Sequence, residues 1–234
     1  GDWSSDVCSS DLQVANSFLI ALIRDYKENS VAKKSCLKVL LAMERFHFIN
    51  NAVCSSRSSG LDLLYAKFAH ALYQATTKQD KHIIIDDVCQ DLKDRIASLS
   101  DFEANVDNKL YYTQKDEKQK ELVKYVLNKM ERKKNKHSIP ISTSIEHIYP
   151  EKPKVMTLSN SKLIKNIGNL VLLEDVINSK IGNKEYADKK TYVLKHSKII
   201  TAKDVFQSYT SWTDKEINQR RKDLIDEMYE KMWK

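Results

Sequence analysis

Apolar residues between Val14 and Met130 recur at helical spacing. Val14, Phe18, Leu22 and Tyr26 repeat every four residues, and Leu37, Leu40, Leu41 and Phe48 mark a second stripe. Leu61, Leu64, Tyr65, Phe68 and Leu72 form another, followed by Ile85, Val88, Leu92 and Ile96, and then by Leu122, Val126 and Met130. Each stripe makes one face of a helix apolar, and such faces are stable only when they cover one another, so a helical bundle is predicted. Ser100 with Glu103, and Thr113 with Asp116, have the spacing of capping boxes.

The pattern breaks at Met130 to His137, a basic and apolar-poor run that reads as a frayed helix end entering a linker. This places a boundary between a helical bundle at 13–137 and a second domain at 138–234. Beyond it the period changes. Ile139 to Tyr149 carries β-branched residues at alternate positions, and Gly168 to Leu173 is a short apolar run, so two short strands are predicted, joined by the polar loop from Glu151 to Asn166. Helical spacing returns after Asn178. Asn183 is the expected N-cap of a helix through Tyr186, Lys190, Val193 and Leu194. Two further helices open at Thr201 to Asp204 and at Thr213 to Glu216, the last running through Ile217, Leu224, Met228 and Met232.

Composition narrows the choice of fold. Four glycines and three prolines in 234 residues are too few for the many special turns of a sandwich or barrel. The fold class expected is mainly α with a small α+β element. A formal net charge of +7 and a pI near 9.0 permit polyanion binding, but the charge is spread over both halves and neither is a polybasic tail. Cys8, Cys36, Cys54 and Cys89 are scattered with no Cys-x-x-Cys pair, which predicts neither a zinc ribbon nor a disulfide framework and fits a reducing compartment. No apolar run approaches the roughly 20 residues of a membrane span, and a cytoplasmic location is expected. Residues 1–12 lack periodicity, join abruptly to a good helix and resemble translated sequencing-adapter read-through. They are set aside as artefactual, with the expectation that the chain is the tail of a longer protein.

The candidate chemistry lies in Thr143-Ser144-Ile145-Glu146-His147-Ile148-Tyr149-Pro150, followed by Ile167-Gly168-Asn169-Leu170 and then Asn178. A carboxylate beside a histidine, with two carboxamides downstream, suits metal-assisted phosphodiester cleavage. Neighbours on an extended strand point to opposite sides, so Glu146 and His147 are expected to divide the work. One holds a metal and the other handles a proton. Singly, each residue has a plain alternative: Asn169 a turn residue, Asn178 a helix cap, Lys189 and Lys190 a solvated helix face. His47, His70 and His82 read as partly buried, hydrogen-bonded residues of the bundle, and His196 as a helix C-terminal residue. Trp212 and Trp233 are expected to pack the closing helices.

Taken together, Ser144 to Pro150, Ile167 to Leu173, Asn178, Gly182-Asn183 and Lys189-Lys190-Thr191-Tyr192 resemble the C-terminal nuclease domain of the GmrSD family of modification-dependent restriction enzymes. The resemblance spans about residues 138 to 234, and the preceding helices are similar to the region before that domain. It implies a ββα-metal (HNH, His-Me finger) domain closed by C-terminal helices. It also implies His147 as general base, Glu146 and Asn178 as ligands of one divalent cation, and Asn169 as the amide that bonds the backbone of the histidine loop. Many HNH enzymes carry histidine where this chain has Asn178, so Mg²⁺ or Mn²⁺ is expected rather than zinc. Lys184, Lys189 and Lys190 are the expected phosphate contacts. DNA is the implied partner, in restriction of foreign or modified DNA and hence phage defence. Relatives often carry an N-terminal nucleotide-hydrolysing sensor domain, and no Gly-rich phosphate loop occurs in this chain. The alternatives are a non-catalytic DNA- or protein-interaction module on a degenerate nuclease scaffold, and an RNA-cleaving enzyme.

Overall fold

The computed structural model describes residues 13–56, 59–113, 116–135 and 142–233. The segment 1–12, Cys8 within it, and the expected start of a strand at Ile139 lie outside the described residues. The chain is mainly helical with one two-stranded antiparallel sheet. Its contacts define two compact units, Gly1–Asn105 with Trp233–Lys234, and Val106–Met232.

The first unit contains α1 (Asn16–Lys27), α2 (Lys33–Phe46) continuing into a π-helical turn (His47–Val53), α3 (Leu61–Gln74), α4 (Lys78–Asp94) and most of α5 (Leu99–Lys109). α1 packs on α3 and α2 on α4. The stripes read from α1, α3 and α4 supply the buried Phe18, Leu22, Leu64, Tyr65, Phe68, Leu72, Ile85, Val88 and Leu92. The stripe on α2 is displaced by one residue. Leu37 and Leu40 are 50% and 40% exposed, whereas Cys36, Val39, Met43 and Phe46 face inward. This helix is apolar on more than one face, so periodicity alone allows two registers, and the contact with α4 selects the second. The cap of α5 is likewise shifted. Ser98, not Ser100, accepts from the Asp101 backbone at 3.1 Å and donates to its carboxylate at 2.6 Å. His47 bonds the Tyr65 hydroxyl at 3.0 Å and His82 the Ser35 hydroxyl at 3.0 Å, while His70 is exposed.

The second unit begins with the end of α5 and adds α6 (Glu117–Lys134), β1 (Thr143–His147), β2 (Leu170–Glu174), α7 (Asp175–Ile181), α8 (Tyr186–His196), α9 (Ile200–Ser208) and α10 (Asp214–Asp226). Two 3₁₀ turns, Ser161–Lys165 and Ile167–Asn169, precede β2. The strands pair from Thr143 opposite Glu174 to His147 opposite Leu170. Leu170 to Leu173 are all buried because α6, α7 and α9 pack against β2, which explains why this strand reads as a continuous apolar run.

α6 does not fray at the basic run. It continues to Lys134, and Glu131 is fully buried. Its carboxylate accepts from the backbone N–H groups of Ile200 (3.0 Å) and Thr201 (2.8 Å), from the Thr201 hydroxyl (2.7 Å) and from Asn135 (2.9 Å). An anion is thereby placed at the positive end of α9, supplied by a helix distant in sequence. Asn183 is not the cap of α8, whose N-cap residue is Glu185. Instead its carboxamide clamps the Lys152 backbone, accepting from the N–H at 3.0 Å and donating to the carbonyl. α10 opens where expected, and Thr213 and Glu216 form a capping box there.

Candidate active site

The site forms where β1 ends. His147 is the last residue of the strand, and the bend at Ile148-Tyr149 brings it into a cleft of about 360 Å³ also lined by Glu146, Asn178, Lys189, Glu151 and Tyr112. Strand alternation separates Glu146 from His147 along β1, yet the bend lets both reach the same space.

The bend is held by Asn169, which is fully buried. Its Oδ1 accepts from the Tyr149 N–H at 2.7 Å and from the Trp212 indole N–H at 2.9 Å; its Nδ2 donates to the carbonyls of Tyr149 (3.1 Å) and Ile164 (2.8 Å). Every hydrogen-bonding position of this amide is filled. Its own turn is fixed from α10, where the buried Arg220 donates to the carbonyls of Ile167 (3.2 Å) and Gly168 (2.7 Å). At Gly168 a Cβ would lie 2.3 Å from the Ile217 carbonyl oxygen, so only glycine allows the turn to seat against α10.

His147 is 6% exposed and stacks on Tyr112, with ring centroids 5.3 Å apart. One ring nitrogen is engaged by the Tyr112 backbone, and Nε2 is buried with no hydrogen-bond partner among the described residues. A carbonyl acceptor at one nitrogen requires the proton there and leaves a lone pair on Nε2. Burial pushes the imidazole down to about 4, against the Tyr112 bond that raises it, with the Lys189 charge adding to the depression. The ring is therefore neutral at pH 7.

Glu146 is 8% exposed and pairs with Lys189, which is 1% exposed. The ammonium lies 2.5 Å from Glu146 Oε1 and donates to the His147 carbonyl at 2.6 Å. Burial pushes the carboxyl above its ordinary range and the ammonium below its own, each opposed by the other's charge; the nearby Glu151 raises Glu146 further. Asn178 projects from α7. Its Nδ2 donates to the Ser144 hydroxyl at 2.8 Å and the Ile145 carbonyl at 3.3 Å, which commits the nitrogen and leaves the amide oxygen for another partner. α7 ends at Gly182, whose φ of +45° is unfavourable for other residues.

Of the other lysines expected at phosphates, Lys184 is exposed, while Lys190 donates to the Tyr209 carbonyl at 2.5 Å. Among the described residues no group of three His, Cys, Asp or Glu side chains could enclose a metal. One carboxylate, one carboxamide oxygen and an imidazole at a solvent-connected cleft fit a hard cation that keeps several waters, as Mg²⁺ does, better than a closed zinc cage.

Tyr112 and Arg220 are neighbours of the candidate residues that the sequence did not single out, and Trp212 is one whose bond to Asn169 it did not foretell. Tyr112 sits in a short segment between helices, joined to the site by its N–H to the Lys165 carbonyl (3.0 Å) and by the Tyr111–Asn166 bridge. No local pattern marks it. Trp212 is buried and packs on Tyr186 and Tyr209 as expected, with its bond to Asn169 an added contact. Arg220 is tied to the turn only by its bonds to the Ile167 and Gly168 carbonyls.

Residues 96–227 match the model of the family described as GmrSD restriction endonucleases, C-terminal domain. The chain belongs to this family, and its class is that of a restriction nuclease. The match begins well before β1 and includes α5 and α6. No curated protein matches the chain. Among the described residues no helix is long and apolar enough to cross a membrane.

Proposed function

We propose that the protein is a metal-dependent DNA endonuclease of the ββα-metal (HNH) type, acting in restriction of foreign or modified DNA. The reading is carried by the buried, unpartnered Nε2 of a neutral His147 in the cleft shared with Glu146 and Asn178. The order antiparallel β1, β2 and then α7, with Asn178 on the helix, supports the same fold type.

His147 Nε2 takes the proton of the attacking water, a role suited to an imidazole whose tautomer is fixed by the Tyr112 backbone. Asn169 keeps the ring aimed by fixing the Tyr149 backbone. Glu146 and the Asn178 carboxamide oxygen hold one Mg²⁺ or Mn²⁺. When bound, the ion supplies Lewis-acid stabilisation of negative charge at the scissile phosphate. Lys184 is exposed near the cleft residue Asn183 and contacts flanking phosphates without sequence discrimination.

Nicking of supercoiled plasmid in Mg²⁺, Mn²⁺ or EDTA tests this. Wild type is expected to nick with either ion and not in EDTA, and His147→Ala to fall by about 100-fold or more, the usual contribution of a general base. Undiminished nicking by His147→Ala would remove the imidazole from the chemistry. Preferential loss of a competing RNA would reassign the substrate.

A further inference from the structure

Lys189 is the best-buried charged side chain of the cleft, and it sits on the carboxylate to which a metal has been assigned. The placement is built. Its N–H bonds the Glu185 carbonyl at 3.1 Å in the first turn of α8, and its stem carries the ammonium inward to two acceptors on β1. One acceptor is the Glu146 carboxylate and the other the His147 backbone carbonyl, so the two bonds differ in kind. The bond to the carbonyl pins the end of the strand. The bond to the carboxylate neutralises a charge that burial would otherwise penalise. Lysine is a compact point charge with rotatable donors, unlike the bidentate fork of arginine, and it can release one acceptor while keeping the other.

We propose that Lys189 is the internal counter-cation of this site, occupying Glu146 until a divalent ion takes over the carboxylate, and thereby setting how tightly that ion binds. The inference rests on the reading that Glu146 holds the ion. A divalent ion on Glu146 would meet the Lys189 ammonium already at 2.5 Å from Oε1, and like charges brought that close between largely buried side chains repel. Metal arrival therefore shifts the ammonium off the carboxylate while its bond to the His147 carbonyl keeps it within reach. Lys189 acts as a positioning residue and as a brake on metal affinity, at the cost of a weaker site than Glu146 alone would make.

Mn²⁺ binding, followed through the electron paramagnetic resonance of the free ion, separates this from a merely structural ion pair. Lys189→Gln keeps a donor but removes the charge, and its Mn²⁺ dissociation constant is expected to fall by about tenfold, within the usual range for coupled sites. Loss of a structural pair would misplace Glu146 and weaken binding, so an unchanged or raised constant in a folded variant overturns the proposal. Wild-type protein gives a second measurement that needs no substitution. The side-chain ammonium NMR signal of Lys189 is expected to move when Mg²⁺ is added, and an unmoved signal at saturating Mg²⁺ overturns the proposal. Glu146→Gln is expected to abolish binding. Equal Mn²⁺ binding by wild type and Glu146→Gln would overturn the assignment of the metal to Glu146, and this inference with it, whereas retained binding at Glu146 with no response at Lys189 refutes the inference alone.

Discussion

At the scale of single residues, the depressed imidazole of His147 links the site to stability. The folded ring titrates at about 4, and burial is the main cause. An unfolded histidine titrates near 6.5. Above pH 6.5 the ring is neutral in both states and its contribution to stability is complete. As pH falls from about 6.5 towards 4 the unfolded chain takes up the proton first, so stability is lost across that window and levels off below it. The full effect is about 3 kcal/mol by linkage. Urea midpoints of the EDTA-treated protein are expected to drop between pH 7 and pH 4, and His147→Gln, which cannot take the proton, is expected to drop less. Parallel pH curves for the two proteins would show that His147 is not the buried base described. Glu146, His147, Asn169 and Asn178 stood out only as a joint pattern, each having a plain alternative alone, and the structure gathers Glu146, His147 and Asn178 at one cleft with Asn169 holding the bend beside it. Lys189 was marked in the sequence but its burial against Glu146 was not, since a buried lysine and a solvated one look alike until the partner carboxylate is seen.

Elements were legible where one apolar face dominates and obscure where two compete. The stripes of α1, α3 and α4 lead directly to the buried residues, whereas α2 offers leucines on one face and Cys36, Val39, Met43 and Phe46 on another. Nothing local decides between them. Capping shows the same limit. The start of α10 at Thr213 to Glu216 was readable because its capping residues lie within four positions, but the partner of the α9 N-terminus is Glu131, 69 residues away from Ile200. The fit of the Ile167–Asn169 turn against α10 is another contact made at long range, and it gives a prediction. Gly168→Ala places a methyl 2.3 Å from the Ile217 carbonyl oxygen, a backbone atom that cannot rotate away. The turn and α10 must part, at a cost of about 1–3 kcal/mol typical of overpacking. Asn169 is the next residue, so nicking activity is expected to fall together with the denaturant midpoint. A Gly168→Ala protein with wild-type stability and activity would mean that the close approach is not there.

For the molecule as a whole, a net charge of +7 spread along the chain sets the terms of any encounter with DNA. Dispersed charge gives non-specific, salt-sensitive attraction, and only lysines whose ammonium groups are free to meet phosphates contribute to its steepness. Three lysines near the cleft looked equivalent in sequence, and the structure distinguishes them. Lys184 is exposed, Lys190 spends its ammonium on the Tyr209 carbonyl, and Lys189 faces Glu146. If each phosphate contact releases its counterions, the logarithm of the binding constant falls with the logarithm of salt concentration by about 0.9 per contact on duplex DNA. Lys184→Ala is therefore expected to make that dependence shallower by about 0.9 and to weaken binding evenly across sequences. Lys190→Ala is expected to leave the slope unchanged, because that side chain is already satisfied within the protein. Fluorescence anisotropy with a short duplex at several salt concentrations measures both. A slope that responds to Lys190 and not to Lys184 would move the DNA path away from the loop after α7, towards the outer side of α8.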